Sequence, residues 1–527
     1  MRFLIKLNVA IVFLFSAYNN IHGQTSTELW GMTTFGGNGF GVIFKTDGDG
    51  ENMQCVYKFG GAAVKNSNYT NLYETPYEER LNMINPGDSS GPSVLYEINL
   101  DDLPITSLSD LSGTEDGTLP YGSLVQGTNG KLYGMTKMGG QYNYGVIFEF
   151  NPDSLTYKSI SFDNAGIVGR TPSGSLIKAS NQKLYGMTAS GGMANYGVIF
   201  EYDPQTNSYS GIFDFVNSAG GKTPESSLLE VNEKLYGMTK YGGTNNCGIL
   251  FEYDPASSVF IKLHDFTTSS GSSPYGSLIE ASDGKLYGLT KSGGSHGSGT
   301  LFEFDLSDST YTKKIDFDET NTGSEPSGSL IQGSNGKLYG LTLAGGQNGM
   351  GVLFEYDINN SIISNKFNFD GTSHGSYPNG SLMQAANGKM YGLTNRGGNS
   401  DLGVMFEYDP ATETVIKKYD FSDSDGKSPM YCQLIEINIP IGVQELTTDH
   451  NKIIIYPNPA SDKVIIEIEN PGMNNFSFMN SNGVILKSGS TSGLKSICID
   501  IHGYNPGAYF INIRNQNGSQ TKQLIIE

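Results

Sequence analysis

Short apolar runs, bounded by Gly-Gly, Asp-Gly, Asn-Gly or Asp-Pro, recur along most of this chain at one fixed interval. The unit reads Lys-Leu-Tyr-Gly-(Met/Leu)-Thr, then Gly-Gly, then Gly-Val-(Ile/Leu)-Phe-Glu-(Tyr/Phe)-Asp. Its tyrosines stand at Tyr133, Tyr185, Tyr236, Tyr287, Tyr339 and Tyr391, at steps of 52, 51, 51, 52 and 52 residues. Trp30 holds the same place 103 residues before Tyr133, which leaves room for one more copy between them. Each copy predicts four strands. In the copy opening at Pro274, strand A is 276–280, strand B 285–290, strand C 300–304 and strand D the run before Asp316. Asp-Gly and Asn-Gly turns join A to B, a strong hairpin signal. Asp-Pro follows strand C at Asp203, Asp254 and Asp409, and the longest connection runs from D to the next A. Four antiparallel strands in about 50 residues is the size of a β-propeller blade.

Charge placement supports pairing of B with C. The residue opening strand B is Lys131, Lys183, Lys234, Lys285, Lys337 or Lys389, and eighteen residues later comes Glu149, Glu201, Glu252, Glu303, Glu355 or Glu407. The degenerate second copy has Arg80 and Glu97, and the first copy reverses the pair, with Glu28 opening B and Lys45 ending C. Opposite charge survives even the swap, as expected of side chains facing each other across an antiparallel pair, each such pair contributing about 0.2–1 kcal/mol. A ring of acid/base residues would not survive it.

Strand B therefore occurs eight times, from Trp30 to Tyr391. The chain enters the repeats at strand B and leaves after a lone strand A, Cys432 to Glu436, which should complete the first blade and remove its open edge. The expected fold is all-β: an eight-bladed β-propeller of four-stranded blades over 24–437, seven being the alternative if the second copy forms no full sheet. The glycine after each tyrosine should let an aromatic or backbone approach closely, and the tyrosines should pack between blades. On this map Cys55 and Cys432 lie at opposite edges of one sheet, on the order of 14 Å apart, beyond disulfide reach. With Cys247 and Cys498 elsewhere, no disulfide is expected.

Residues 438–452 read as a linker. Residues 453–527 alternate strands with turns and predict a small Ig-like β-sandwich. At the other end, residues 1–23 have a basic start (Arg2, Lys6), an apolar run from Leu7 to Ala17 and the small Gly23, the features of a secretory signal peptide. No transmembrane segment is expected in the mature chain. Lys and Arg total 33 against 53 Asp and Glu, a net charge of −20. That balance argues against nucleic acid and anionic membrane partners.

The Leu-Tyr-Gly-Met-Thr, Gly-Gly and Gly-Val-Ile-Phe core resembles the Gloeo-Verruco type of secreted bacterial propeller repeat, over residues 28–437. The resemblance implies the fold and no common activity. The tail closely resembles the type A sorting domain of the type IX (Por) secretion system of Bacteroidota, through Tyr456-Pro457-Asn458-Pro459, the turn at Gly483, Pro506-Gly507 with Tyr509, and Lys522 in the last strand. Where this family usually has Leu, the chain has Tyr504. The resemblance implies the type IX secretion machinery as a partner, export across the outer membrane, and a final location in the medium or on the cell surface.

Chemistry is sparse by comparison. The six histidines, His22, His264, His296, His374, His450 and His502, show no metal spacing. No Gly-x-Ser-x-Gly elbow occurs, and no Gly-rich loop leads into a helix. Asp47-Gly-Asp49-Gly-Glu51 and Asp420 to Asp425 invite a calcium reading, but neither has the twelfth-position Glu of an EF-hand. No catalytic, cofactor or metal residue is assigned. Arg170, Glu225, Arg396 and Asp401 depart from the repeat without visibly converging. The expected function is a non-enzymatic, secreted or surface-displayed binding module for extracellular glycan or protein. The alternative is a polysaccharide hydrolase or lyase with its site at the propeller channel.

Overall fold

The computed structural model describes residues 25–526 except 40, 60–71, 76–79, 86–92, 100–104, 112–114, 121, 153, 163–168, 217–219, 431–432, 441–452, 457–459, 461, 469–474, 481–484, 491–495 and 516–517. The expected signal peptide, most of the linker, Cys432, the Pro457–Pro459 stretch and Gly483 lie outside the described residues. Two units separate, Thr25–Ile439 and Pro440–Glu527.

Each copy of the repeat folds as an antiparallel sheet in the order D–C–B–A. Among the described residues, the first unit holds eight of them, numbered here along the chain. Sheet 6 is representative, with A at Ser272–Glu280, B at Leu286–Ser292, C at Thr300–Asp305 and D at Thr310–Asp316. The diverged copy forms sheet 2 from Tyr73–Thr75, Arg80–Asn85, Ser93–Asn99 and Ile105–Leu111. Sheet 1 combines both ends of the unit. Thr25–Thr33, Val42–Asp47 and Gln54–Lys58 are joined by Ile435–Pro440, which pairs with the free edge of Thr25–Thr33. That strand starts later than the 432–436 read from the sequence, and Leu434 just before it packs at Gly31 as Leu382 does at Gly392.

Both faces of the sheets are apolar, so each sheet is covered by its neighbours. Shared cores link sheets 2 and 3, 3 and 4, 4 and 5, 5 and 6, 6 and 7, and 7 and 8. One further core joins Tyr391 and Phe421 of sheet 8 to Trp30 and Phe44 of sheet 1 and Ile98 of sheet 2. The strand-B tyrosines are fully buried at these junctions. Tyr133 meets Tyr202 of the next sheet at 5.6 Å between centroids, and Tyr339 meets Tyr408 at 5.9 Å. Burial of such a ring contributes about 1.5–3 kcal/mol. The glycine after each tyrosine sits between the Phe opposite it on C and a Leu on A. A Cβ at Gly288 would lie 2.4 Å from Phe302 and 3.0 Å from Leu278.

Along strand A the sheets are also tied by hydrogen bonds. The backbone N–H of Ser277 donates to the Ser329 hydroxyl at 2.9 Å, and Ser123, Ser175 and Ser329 donate likewise to Ser175, Ser227 and Ser381. The glycine before each donor serine, Gly122, Gly174, Gly276 or Gly328, brings the strands that close. Gly276 has φ +72°, and a Cβ there would lie 2.2 Å from the Gly328 carbonyl. At the A–B turns a second set repeats the link, with Ser282 N–H donating to Gln332 and Ser334 N–H to Gln384.

In the C-terminal unit a three-stranded sheet (Ile453–Tyr456, Lys463–Ile468, Ser496–Asp500) and a four-stranded sheet (Asn475–Asn480, Ile485–Ser490, Gly507–Asn515, Gly518–Ile526) share one core. Val464, Ile466 and Ile499 of the first sheet meet Phe478, Ile511 and Leu524 of the second.

Substituting Gly276→Ala should therefore cost about 2–4 kcal/mol, from overpacking plus the left-handed backbone. Gly284→Ala, also at positive φ (+76°) but facing open space, should cost about 1 kcal/mol. Denaturant melts of the two variants should differ by that margin.

Candidate functional site

The charged residues of the repeat meet at the end of each sheet that carries the A–B and C–D turns. Lys131, Lys183, Lys234, Lys285, Lys337 and Lys389 place Nζ within 2.5–2.7 Å of Glu149, Glu201, Glu252, Glu303, Glu355 and Glu407. The reversed pair Lys45–Glu28 closes at 2.8 Å. These partners are not directly opposite. The register sets Glu149 against Tyr133, so lysine reaches the carboxylate diagonally and the tyrosine hydroxyl donates to its other oxygen at 2.9 Å. In sheet 1 the Trp30 indole N–H does the same for the displaced carboxylate, donating to Glu28 at 2.9 Å. In sheet 2 the backbone register is equivalent, with Arg80 opposite Asn99 and Glu97 opposite Asn82. The Arg80 side chain lies outside the described residues.

Three sheets add a second cation. Strand D carries a bulge, and the bulged residue is Lys314, Lys366 or Lys418 in sheets 6–8 but Ile212 or Leu263 in sheets 4 and 5. A bulge re-aims its side chain, and these lysines come within 3.1, 3.4 and 3.2 Å of Glu303, Glu355 and Glu407. Burial disfavours each carboxylate, yet the lysine and tyrosine hydrogen bonds outweigh it and hold all three pKa values below the ordinary glutamate range. Strand D also ends in an aspartate bonded to the lysine three residues before it, Lys262–Asp265, Lys313–Asp316 and Lys417–Asp420. Sheet 4 has Gly211 where those lysines stand, and there burial pushes the Asp214 carboxyl upward.

The opposite end carries the B–C and D–A connections and is less uniform. Before each strand-A proline stands a non-glycine residue with positive φ: Leu119, Thr171, Thr223, Ser273, Glu325, Tyr377 and Ser428, at 50–56°. From Thr171 onward each donates its backbone N–H to a carbonyl in the B–C loop of the preceding sheet. Thr171 bonds to Tyr144, Thr223 to Tyr196, Ser273 to Cys247, Glu325 to Ser298, Tyr377 to Met350 and Ser428 to Leu402. This bond fixes which positions are equivalent from junction to junction, and two neighbouring junctions stand apart. Between sheets 3 and 4 the Arg170 guanidinium lies 4.1 Å from the Tyr144 ring centroid. Between sheets 4 and 5 Lys222 lies 5.7 Å from Tyr196. At the same places the next three junctions have Ser272 with Cys247, Ser324 with Ser298 and Ser376 with Met350.

Further side chains extend this cluster. Tyr142, 42 % exposed, stacks on Tyr144 at 6.3 Å, and Met193 stands 84 % exposed on the next loop. Lys222 exchanges two backbone hydrogen bonds with Tyr241, itself exposed. Lys240 lies over the Tyr241 ring at 5.4 Å and pairs with Glu225 at 2.8 Å. Lys291 lies 5.9 Å from Tyr275 and pairs with Glu325 at 3.2 Å. Of the four departures read from the sequence, Arg170 and Glu225 thus fall on neighbouring junctions. Arg396 and Asp401 sit on sheet 8, where Asp401 accepts the Gly397 N–H and shapes the B–C loop. Tyr142, Tyr144, Tyr196 and Lys222 escaped the sequence reading, although aligning the residue before each Gly-Val-Ile-Phe would have separated Tyr144 and Tyr196 from Cys247, Ser298, Met350 and Leu402.

The acidic stretches are internally satisfied. Asp47 accepts from Glu51 N–H and the Asn52 amide, Glu51 pairs with Lys418, Asp423 pairs with Lys427, and Asp425 accepts from Tyr419 and Ser422. Among the described residues no group of three His, Cys, Asp or Glu is placed to hold a metal. His264 stacks on Tyr311 at 3.5 Å, and burial lowers its pKa to about 4. His374 pairs with Asp370 at 2.9 Å. Cys55, Cys247 and Cys498 carry free thiols. In the tail, Tyr456 closes the strand Ile453–Tyr456, Gly507 opens Gly507–Asn515 after Pro506, Tyr509 is buried with its hydroxyl on the Asn505 carbonyl, and Lys522 is exposed. Tyr504 packs edge-on against Phe478 at 5.2 Å, so the core accommodates it in place of leucine.

With this geometry, comparison with known proteins fixes the class. The Gloeobacter/Verrucomicrobia repeat matches residues 68–281 and 263–438, and the chain belongs to that family. A secretion system C-terminal sorting domain matches residues 454–527 and indicates export by the type IX system, to the medium or the cell surface. No curated protein matches the chain by sequence. Among solved structures, the periplasmic gluconolactonase of Pseudomonas aeruginosa is 14 % identical with a TM-score of 0.44, over 78 % of this chain and 100 % of its own. The β-propeller domain of the Trilobed protease from Pyrococcus furiosus is 12 % identical with a TM-score of 0.39, over 68 % and 98 %. No helix among the described residues is long and apolar enough to cross a membrane.

Replacing Glu407, 1 % exposed between Lys389 and Lys418, by Gln should destabilise the protein by about 3–5 kcal/mol, because two cations lose their buried counter-charge. Glu201→Gln, where Lys183 is 37 % exposed, should cost about 1 kcal/mol or less. The depressed glutamates contribute stability above their unfolded pKa, and it is lost as pH falls through the folded value. The thermal midpoint should thus drop as pH falls through and below the ordinary glutamate range.

Proposed function

We propose that residues 24–437 form an eight-bladed β-propeller, followed by a linker at 438–452 and an Ig-like sorting domain at 453–527. The propeller acts outside the cell as a non-enzymatic binding module for glycan or protein, and its binding face is the end carrying the B–C and D–A connections. The observation that supports this most is the clustering of repeat-breaking residues there, Tyr142, Tyr144, Arg170, Tyr196, Lys222 and Tyr241, on a scaffold whose other repeat positions serve the sheets. Aromatic faces and cations are recognition chemistry. Glycoside hydrolysis needs a protonated and an ionised carboxyl flanking the bond, whereas Glu225 and Glu325 on this face are already ion-paired with lysine.

Incubating the full-length protein with a panel of polysaccharides and assaying both retained protein and released fragments tests the reading. Retention without fragments is the expected outcome. Released fragments would make the protein an enzyme.

A further inference from the structure

We infer that the two cation–tyrosine junctions joining sheets 3, 4 and 5 take anionic sugar units of an acidic polysaccharide, an inference that rests on the binding-face reading above. Four observations carry it. First, the ring does not need these cations. The same inter-sheet hydrogen bond forms where Arg170 and Lys222 are replaced by Ser272, Ser324 or Ser376. In a chain of net charge −20, two adjacent junctions carry a cation at one repeat position, and each is beside a tyrosine ring.

Second, each cation is paired with a ring. Arg170 lies on Tyr144, and Tyr144 is also stacked with the exposed Tyr142. A planar guanidinium beside an aromatic face offers a bidentate grip on carboxylate or sulfate together with a flat apolar surface. A charged pyranose presents both complements, an acidic substituent and a C–H face. Third, the arrangement repeats. Tyr196 with Lys222 stands one sheet further on, bordered by the exposed Tyr241. Two equivalent sites in series suit a polymer of repeating acidic units better than a single small anion. Fourth, the acidic groups bordering the second site and its neighbour are neutralised in place, Glu225 by Lys240 and Glu325 by Lys291.

Affinity electrophoresis of the full-length protein in gels containing polygalacturonate, dextran sulfate or neutral dextran tests the inference. Retardation by polygalacturonate or by dextran sulfate is expected, and which of the two acts tells carboxylate from sulfate recognition. Retardation should weaken tenfold or more in the Arg170→Gln, Lys222→Gln double variant and fade with added salt. Lys427→Gln, at the equivalent position between sheets 8 and 1 and ion-paired with Asp423, should change it less than twofold. Arg170→Lys, which keeps the charge without the fork, should fall between the two. A thermal melt of the double variant matching that of the parent keeps any loss assignable to binding. Acidic-gel retardation that the double variant leaves intact overturns the placement of the site. Retardation by dextran equal to that by the acidic polymers overturns the anionic ligand while sparing the binding-module reading. Absence of retardation in every gel overturns the inference, and fragments released in the panel assay overturn the reading beneath it.

Discussion

Everything in the first unit depends on one constraint: a four-stranded sheet with two apolar faces is unstable until both are covered. Tyr133, Phe148, Leu184 and their equivalents among the described residues are all but excluded from water, and each owes that to a neighbouring sheet. A row of such sheets would always end in two uncovered faces. The shared core of sheets 8, 1 and 2 resolves this by leaving no terminal sheet. The glycines follow from the same demand, since only a residue without a Cβ allows Phe302 to lie against strand B or lets successive A strands approach to hydrogen-bonding distance.

The buried charges have a narrower role. A lone glutamate between sheets would be costly, and the chain places one in six successive copies only because lysine and tyrosine both reach it. The two-cation version in sheets 6–8 shows how a single bulge in strand D turns a solvent-edge lysine into an internal partner. Where the bulged residue is Ile212 or Leu263, the glutamate makes do with one lysine. The copies are therefore alike in backbone and graded in electrostatics.

How much of this was legible in the sequence depends on the range of the contact. Within one copy, periodicity and turn chemistry placed strands B and C, and the charge pairs were visible because lysine and glutamate always stand eighteen residues apart. The tyrosine as the residue directly opposite glutamate was not visible, because register cannot be read from two charges alone. Strand A of sheet 1 was placed a few residues early, since its Pro-x-Gly-Ser-Leu frame is broken around Cys432. The junction pairs were the least legible. Arg170 and Tyr144 belong to different copies, and they become neighbours only through the junction between sheets, where Thr171 bonds to Tyr144.

Sheet 1 sets a temporal order as well as a spatial one. Its strand Thr25–Thr33 waits for a partner, Ile435–Pro440, that lies about 400 residues further along, and closing so long a loop costs entropy that grows only with the logarithm of its length. The other sheets have all four strands within nearby sequence, whereas this one keeps an open edge until nearly the whole unit has been made. A nascent or truncated chain lacking the last strand exposes a hydrogen-bonding edge that another chain can occupy. Completion of the unit is thus registered at a single seam, just ahead of the linker that leads to the sorting tail.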